Sequence, residues 1–467
     1  MNFECIKNKF KTINGQFFPG QMSSRLYMDE EKVSEKYLVA FHERFHYLQC
    51  IFTPYGHLKW ATFRSVTADV VEAWKNLTVM MNKEKKIPVF EYINDGDMKS
   101  MQILATIYFQ DFVWRFSNLM DGIDISNEEL ELFKIDKYSL LPQIQVDGKK
   151  YILNGLDVIE SFAKFEEALL GYFLEEKDMN EIINPDILSP RYYMPLYYFI
   201  DEIGMDRLYE FPIVCELALA FSKLPKYNDE ASLHNNHPGW RFVKIVQFIK
   251  EHNVEQPDIF SDESFWNYTN EILKGCNFDS WDELWKSAEE YEKENDLSMS
   301  EEMMCAIEYK KAHPWCLSYS IANPKEFLSE EFDRFHPLFV ITNNRVFYNV
   351  NHINTSELLF ENEFQALALQ ICGHISQYNL YPDMLQCADN YFGIKSCKHW
   401  LERNCDGHLC KESKLPPTIL DENDNIIDGC FMEIMLNILG TSIKEIHIGD
   451  MRQRYNLKEI ANVIKTI

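Results

Sequence analysis

Apolar residues recur at three- and four-residue steps in the stretch that follows Glu31. This spacing places them on one face of a helix, and Pro54 is expected to end that helix because proline lacks the amide proton that a further turn needs. The stripe consists of Val33, Tyr37, Phe41, Phe45, Leu48 and Phe52. Similar periodicity predicts further helices over 57–81, 98–120, 156–176, 206–223 and 356–378, four between 238 and 312, and two at the C-terminal end.

Two short stretches alternate between apolar and polar residues instead. Residues 144–153 do so around Asp147-Gly148, and residues 337–348 around Asn343-Asn344, which are pairs able to take the left-handed backbone angles of a tight turn. Residues 1–31 look extended and are expected to supply a strand to the edge of a small sheet. Glycine is scarce, at 17 of 467 residues, which suits helices. The predicted fold class is therefore mainly α with small β-hairpins (α+β).

Composition narrows the function classes. The formal net charge of −27 disfavours nucleic-acid binding, since affinity for nucleic acid depends on lysine and arginine at the phosphates. The N-terminal residues lack the apolar core of a signal peptide, and no apolar run approaches the roughly 18 residues of a membrane span. We therefore expect a cytoplasmic protein with no membrane partner, whose 12 cysteines are free, buried or metal-bound.

The first predicted helix contains the motif H-E-x-x-H as His42, Glu43 and His46. Residues four apart share a helix face, so the two imidazoles can bind one metal ion with Glu43 beside them. With 13 His and 73 acidic residues, a chance match to H-[DE]-x-x-H is expected about 0.06 times in a chain of this length. The motif therefore indicates a metal site.

A catalytic zinc site needs a third protein ligand. The metzincin position, ten residues after the first histidine, is Phe52, which excludes that class. Asp69 and Glu72 are alternatives, but Glu160 is preferred because it places a carboxylate on an apolar helix face, where a buried acid requires a partner. Small Ala163 follows one turn later, where it would let a neighbouring helix approach.

These two segments resemble the zincin metallopeptidases of the gluzincin type, in which H-E-x-x-H is joined by a glutamate from a later helix, often as E-x-x-A. The resemblance implies a zincin-like helical metal site in a catalytic region over 1–177, one catalytic Zn²⁺ bound by His42, His46 and Glu160, and a protein or peptide substrate. It also implies that Glu43 acts as the general base on zinc-bound water. A helical region over 178–335 and a C-terminal region over 336–467 are expected to follow.

A tyrosine or histidine usually stabilises the oxyanion in such sites. The candidates in this chain, which the sequence does not rank, are Tyr151, Tyr172, Tyr192, Tyr193 and His237. Arg44, inside the motif, is expected to be an exposed helix residue, the alternative being a ligand for a substrate carboxylate.

Two alternatives stay open. The chain would instead be a non-enzymatic acidic helical interaction or regulatory protein if H-E-x-x-H were structural or degenerate. A second, structural zinc ion is the other open question, and free cysteines in a helical cap are favoured over it because paired C-x-x-C spacing is missing. The residues concerned are Cys397, His399, Cys405, His408 and Cys410.

Overall fold

The computed structural model describes part of the chain. The described residues are 15–18, 22–26, 28, 36–62, 64–66, 69, 141–175, 183, 188–224, 229–295, 300–318, 335–337, 339–341, 346–348, 419–420 and 426–428. The chain divides into two compact units, one formed by Met1–Ala61 and Phe116–Thr355, the other by Thr62–Arg115 and Ser356–Ile467. The three regions predicted from the sequence form a different division, and their boundaries stay predictions.

The described part of the first unit is mostly helical. Its helices are α1 (Tyr37–Phe52), α2 (Gly155–Glu175), α3 (Met194–Ile203), α4 (Phe211–Ala218), α5 (Glu230–Asn236), α6 (Pro238–His252), α7 (Asp262–Gly275), α8 (Trp281–Asn295) and α9 (Ser300–Ala312), with 3-10 helices at Pro190–Tyr192 and Met205–Glu210. Its strands are β1 (Gly15–Phe18), β2 (Ser23–Leu26), β3 (Gln143–Val146), β4 (Lys149–Ile152), β5 (Phe339–Ile341) and β6 (Val346–Tyr348). The coarse prediction of a mainly helical chain with small β elements is therefore confirmed.

A four-stranded sheet has the order β1-β2-β5-β6. β1 pairs with β2 in antiparallel fashion, with Gly15 opposite Leu26, and β2 runs parallel to β5, with Ser23 opposite Phe339. β5 and β6 form the hairpin predicted around Asn343-Asn344. Among the described strands β1 therefore lies at an edge, which agrees with the strand expected near the N-terminus.

The second predicted hairpin is also present. β3 and β4 pair in antiparallel fashion around Asp147 and Gly148, whose φ angles of 48° and 74° are those of a tight turn with two left-handed residues. The strand pair leads directly into α2 through Leu153, which is fully buried. The hairpin therefore fixes where α2 enters the fold.

Helix α1 is packed on several sides within the first unit. It packs against α2, α9, β1 and β2, and Ser24 of β2 donates a hydrogen bond to the carbonyl oxygen of Glu43 at 3.4 Å. From Phe41 onward all its residues except Arg44 are buried. The helix ends at Phe52, and a second helical segment begins at the predicted breaker Pro54. A helix buried on all sides has no solvent with which its polar side chains could pair, so the protein must supply partners.

The described part of the second unit includes a short hairpin of β7 (Ile419–Leu420) and β8 (Ile426–Asp428). The helices predicted over 98–120 and 356–378 and at the C-terminal end, the Cys397–Cys410 segment and Glu72 lie outside the described residues. None of the described helices combines the length and the apolar character needed to span a bilayer.

Candidate metal centre

Four polar side chains of α1 are buried in the protein. His42, Glu43, His46 and Gln49 are only 8%, 6%, 8% and 3% exposed. His42, His46 and Gln49 follow each other at four- and three-residue steps, so they share one face of the helix. Burying such groups is costly unless they are paired. The face they share is the one packed against α2.

Three atoms from α1 and α2 converge at this interface. His42 Nε2 lies 3.1 Å from Glu160 Oε2, His46 Nε2 lies 3.4 Å from the same oxygen, and the two Nε2 atoms are 3.1 Å apart. The structure thus brings together His42, His46 and Glu160, the three residues that the sequence selected as ligands. Asp69, the other described candidate for the third ligand, is exposed and belongs to the second compact unit.

The start of α2 explains where Glu160 lies. Asn154 and Asp157 cap the helix reciprocally, since each backbone N–H donates to the other residue's side chain at 2.9 Å. Phe162 of α2 packs edge-on against Phe45 of α1, with 4.9 Å between ring centroids, and Ala163 is fully buried beside it. The cap fixes where α2 begins, and the aromatic pair holds it against α1, so that Glu160 faces both histidines.

The second nitrogen of each imidazole is also held. His42 Nδ1 lies 3.1 Å from Glu167 Oε2, and His46 Nδ1 lies 2.9 Å from Gln49 Oε1. The amide nitrogen of Gln49 donates to the carbonyl oxygen of Ile159 at 3.0 Å, which leaves its oxygen to accept from His46. Both Nδ1 atoms therefore act as donors, and in neutral rings both Nε2 atoms present lone pairs to Glu160.

This arrangement fits a tetrahedrally coordinated metal ion. With bonds of about 2.0–2.1 Å, two ligand atoms of a tetrahedral zinc ion lie about 3.3 Å apart. The observed separations of 3.1, 3.1 and 3.4 Å match that value. Two imidazoles and one carboxylate form a ligand set that zinc accepts in catalytic sites, where one position stays open.

Electrostatics indicate that the cluster needs a positive charge. Burial acts to lower the pKa of His42, but the hydrogen bonds that its ring donates to the Glu160 and Glu167 carboxylates raise it to about 10. Burial alone would raise the pKa of Glu160, yet the adjacent imidazoles hold it well below its usual range. Either a metal ion or a proton on His42 satisfies this demand, and the experiments below separate the two.

Glu43 lies beside the three converging atoms without being one of them. Burial raises the pKa of this carboxyl to about 7, although the neighbouring imidazoles act to lower it. Its side chain lies against the backbone of β1, because a Cβ atom added to Gly15 would approach its Cγ and Oε1 to 2.7 Å. Glu43 is thus a buried carboxyl, confined by β1, whose pKa suits proton transfer near neutral pH.

Tyr192 is the oxyanion candidate that the structure places near a proposed ligand. Its ring lies edge-on to His42, with 6.1 Å between centroids. Burial raises the pKa of its hydroxyl, and the negative charges of Glu160, Glu43 and Glu167 raise it further. The hydroxyl therefore stays protonated and can donate a hydrogen bond.

The other four oxyanion candidates have different surroundings. Tyr151 is hydrogen-bonded to Asp157, the Tyr193 ring packs against Tyr197, and Tyr172 is 52% exposed. His237 accepts a hydrogen bond from Gly239 N–H at 3.1 Å and caps α6.

Sequence reasoning missed Glu167 and Gln49. Glu167 follows Glu160 by seven residues, and Gln49 follows His46 by three, so both spacings place them on the face of the ligand concerned. A search of these positions for hydrogen-bond acceptors would have found them.

Arg44 is half-buried, and its Nε donates to the carbonyl oxygen of Phe335 at 3.2 Å.

Comparisons with protein-family models, with curated proteins and with solved structures find no match to this chain. The geometry of the cluster is therefore the basis for a functional proposal.

Proposed function

We propose that the protein is a zinc-dependent hydrolase, and specifically a metallopeptidase of the gluzincin type. The observation that carries this proposal is the convergence of His42 Nε2, His46 Nε2 and Glu160 Oε2 within 3.4 Å of one another. A structural zinc site is normally closed by four protein ligands, whereas three ligands suit a catalytic site. Among the described residues the cluster has three.

The residues around the cluster have separate roles in this proposal. A bound zinc ion would supply Lewis acidity, activating water and polarising the substrate carbonyl group. Glu43 takes the proton from the attacking water and passes it to the leaving amine. Tyr192 donates a hydrogen bond to the carbonyl oxygen as that oxygen gains charge. Glu167 and Gln49 keep the two imidazoles oriented so that their Nε2 atoms face the proposed zinc position.

The position of β1 favours a peptide substrate. β1 pairs with β2 along one edge, and its other edge is unpaired among the described strands. Gly15, at the start of β1, lies against the side chain of Glu43. An extended peptide that added to this edge would pass next to the proposed base.

We also keep the prediction of a cytoplasmic location, which the free thiols of five described cysteines support.

Metal content tests the site. We expect about one zinc ion per chain in the wild type, and a sharp loss in His46→Ala and in Glu160→Ala, since each removes a ligand. Glu290→Gln, which removes a carboxylate from the surface of α8, is the matched control and should retain zinc. Circular dichroism would confirm that each variant folds. A wild-type protein without zinc after reconstitution would overturn the proposal.

Hydrolysis tests the role of Glu43. Glu43→Gln should bind zinc as the wild type does and fail to cleave denatured casein or a mixture of quenched fluorescent peptides. Continued cleavage by this variant would remove Glu43 from the role of base. Zinc binding with no cleavage of any probe by the wild type would favour the non-enzymatic alternative, in which the site is structural.

A further inference from the structure

Arg191 lies on the short 3-10 helix Pro190–Tyr192, which packs against α2. The next residue, Tyr192, places its ring 6.1 Å from the ring of His42. The backbone that positions Arg191 is therefore held beside the proposed metal ligands. Its side chain is half-buried.

The charge of Arg191 acts on side chains around the start of α2. It lowers the pKa of Asp157, Tyr151 and Tyr192, although burial is the larger influence on each and raises it. Asp157 precedes Glu160 by three residues, so the two lie one turn apart on the same face of α2. Glu160 in turn acts on both Asp157 and Tyr192. The guanidinium therefore acts on a carboxylate that lies one turn of α2 from Glu160.

Arg191 is not needed to satisfy Asp157. The Asp157 carboxylate already accepts hydrogen bonds from the backbone N–H of Asn154 and from the Tyr151 hydroxyl. No hydrogen bond or ion pair joins the guanidinium to another residue of the described part of the chain. A half-buried guanidinium whose donors have no partner among the described residues is suited to bind a planar anion through two parallel hydrogen bonds.

We propose that Arg191 is a specificity-determining residue that binds a carboxylate of the substrate beside the scissile bond. This inference rests on the proposed function. The carboxylate is either the free C-terminus of a peptide or an acidic side chain. The net charge of −27 disfavours anionic substrates overall. A cation without an ion-pair partner among the described residues would attract such substrates locally.

Binding of hydroxamate probes tests this inference without a known substrate. The probes are malonyl-linked hydroxamates that each carry one amino-acid residue, and they form two pairs whose members differ by one charge. In the first pair the residue is Leu, with either a free C-terminal carboxylate or a C-terminal amide. In the second pair the C-terminus is an amide, and the residue is either Glu or Gln. Isothermal titration calorimetry on the zinc-loaded wild type measures the affinity of each. We expect the charged member of one pair to bind about tenfold or more tightly than its neutral partner, and that pair identifies the source of the carboxylate.

Variants assign the preference to Arg191. In Arg191→Gln the preference should fall to about onefold while the neutral probes bind as before, and Arg191→Lys should restore part of it. Lys150→Gln removes the same charge from the exposed end of the β3–β4 hairpin and should leave the preference intact. Equal binding within both pairs, or a preference that survives Arg191→Gln, overturns the inference while leaving the metal site in place. Failure of all four probes to bind overturns the proposed function as well.

Discussion

Glu167 and Gln49 hold the two imidazoles in one orientation, and the rest of the site depends on this. A free histidine ring can rotate and can carry its proton on either nitrogen. Here a carboxylate 3.1 Å from His42 Nδ1 and an amide oxygen 2.9 Å from His46 Nδ1 fix both choices. The two imidazoles are thus already oriented in the folded protein, so a metal ion that they bound would not have to order them.

Replacing Glu167 should weaken zinc binding although it is not a ligand. We expect Glu167→Ala to lower zinc affinity about 10- to 100-fold, because His42 loses the partner that fixes its ring. Glu167→Gln should lower it less, since its amide oxygen can still accept from Nδ1. Competition with a chromogenic chelator measures both values.

Lys164→Gln supplies the control for Glu167. Lys164 pairs with the other carboxylate oxygen of Glu167 at 2.7 Å, so this variant leaves the bond to His42 in place and should change affinity little. Unchanged zinc affinity in Glu167→Ala would contradict the positioning role.

Gly15 controls the position of Glu43. A Cβ atom at this site would lie 2.7 Å from Glu43 Cγ and Oε1, so Gly15→Ala must displace the carboxyl. We expect kcat on casein or peptide probes to fall about tenfold or more, because proton transfer is sensitive to displacements of this size. Zinc content should stay at the wild-type level. A variant with normal kcat would show that Glu43 does not act from the position seen here.

The sequence predicted the three converging residues more clearly than the groups around them. The proximity of His42 and His46 was predictable because it follows from a fixed helical spacing, and that of Glu160 because an acid on an apolar face needs a partner. Tyr192 could not be ranked among five candidates, since its nearness to His42 depends on how a 3-10 helix packs against α2. Packing of this kind has no local signal in the chain.

At the level of elements, structure that depends on local sequence was predictable, whereas pairing between distant segments was not. The apolar stripe predicted α1 and its end before Pro54, and the turn residues predicted both hairpins of the first unit. The parallel pairing of β2 with β5 could not be predicted, because Ser23 and Phe339 are far apart in the chain and parallel neighbours leave no turn between them.

The N-terminus of α6 provides a test of stability against pH. His237 is 2% exposed, and its Nδ1 accepts from Gly239 N–H to cap the helix. Burial lowers the pKa of His237 to about 3, with a smaller contribution from His234. As the pH falls below about 6.5, the unfolded chain therefore binds a proton that the folded chain does not, and the folded state loses stability.

We expect His237→Asn to lose less stability on acidification than the wild type. Asparagine keeps a capping acceptor and does not titrate. Between pH 7 and pH 5 the wild type should therefore lose about 2 kcal/mol more of its free energy of unfolding than the variant does. Thermal melts at the two pH values measure it. His252→Asn, at the exposed end of the same helix, is the control and should follow the wild type. Parallel pH profiles for His237→Asn and the wild type would contradict a buried neutral cap.

At the scale of the whole molecule, the proposed ligands belong to one of the two compact units. α1 and α2 are both part of the unit formed by Met1–Ala61 and Phe116–Thr355, whereas the β7–β8 hairpin belongs to the other. A metal ion bound by both helices would link segments that are distant in the chain. Such an ion stabilises the folded state by mass action, by an amount that grows with the logarithm of the free zinc concentration relative to Kd.

Hydrogen exchange should therefore detect zinc in a defined part of the chain. At zinc concentrations about 100-fold above Kd, ligation is worth about 2.7 kcal/mol, so amides of α1 and α2 that exchange through opening of this interface should slow about 100-fold. Peptides covering 419–428 should be unaffected where the two units open independently. Glu160→Ala should abolish the slowing in α1 and α2, while Lys150→Gln should preserve it. Slowing that persists in Glu160→Ala would assign the zinc to other ligands. No slowing in the wild type would instead favour a protonated His42 as the source of positive charge between Glu160 and Glu167.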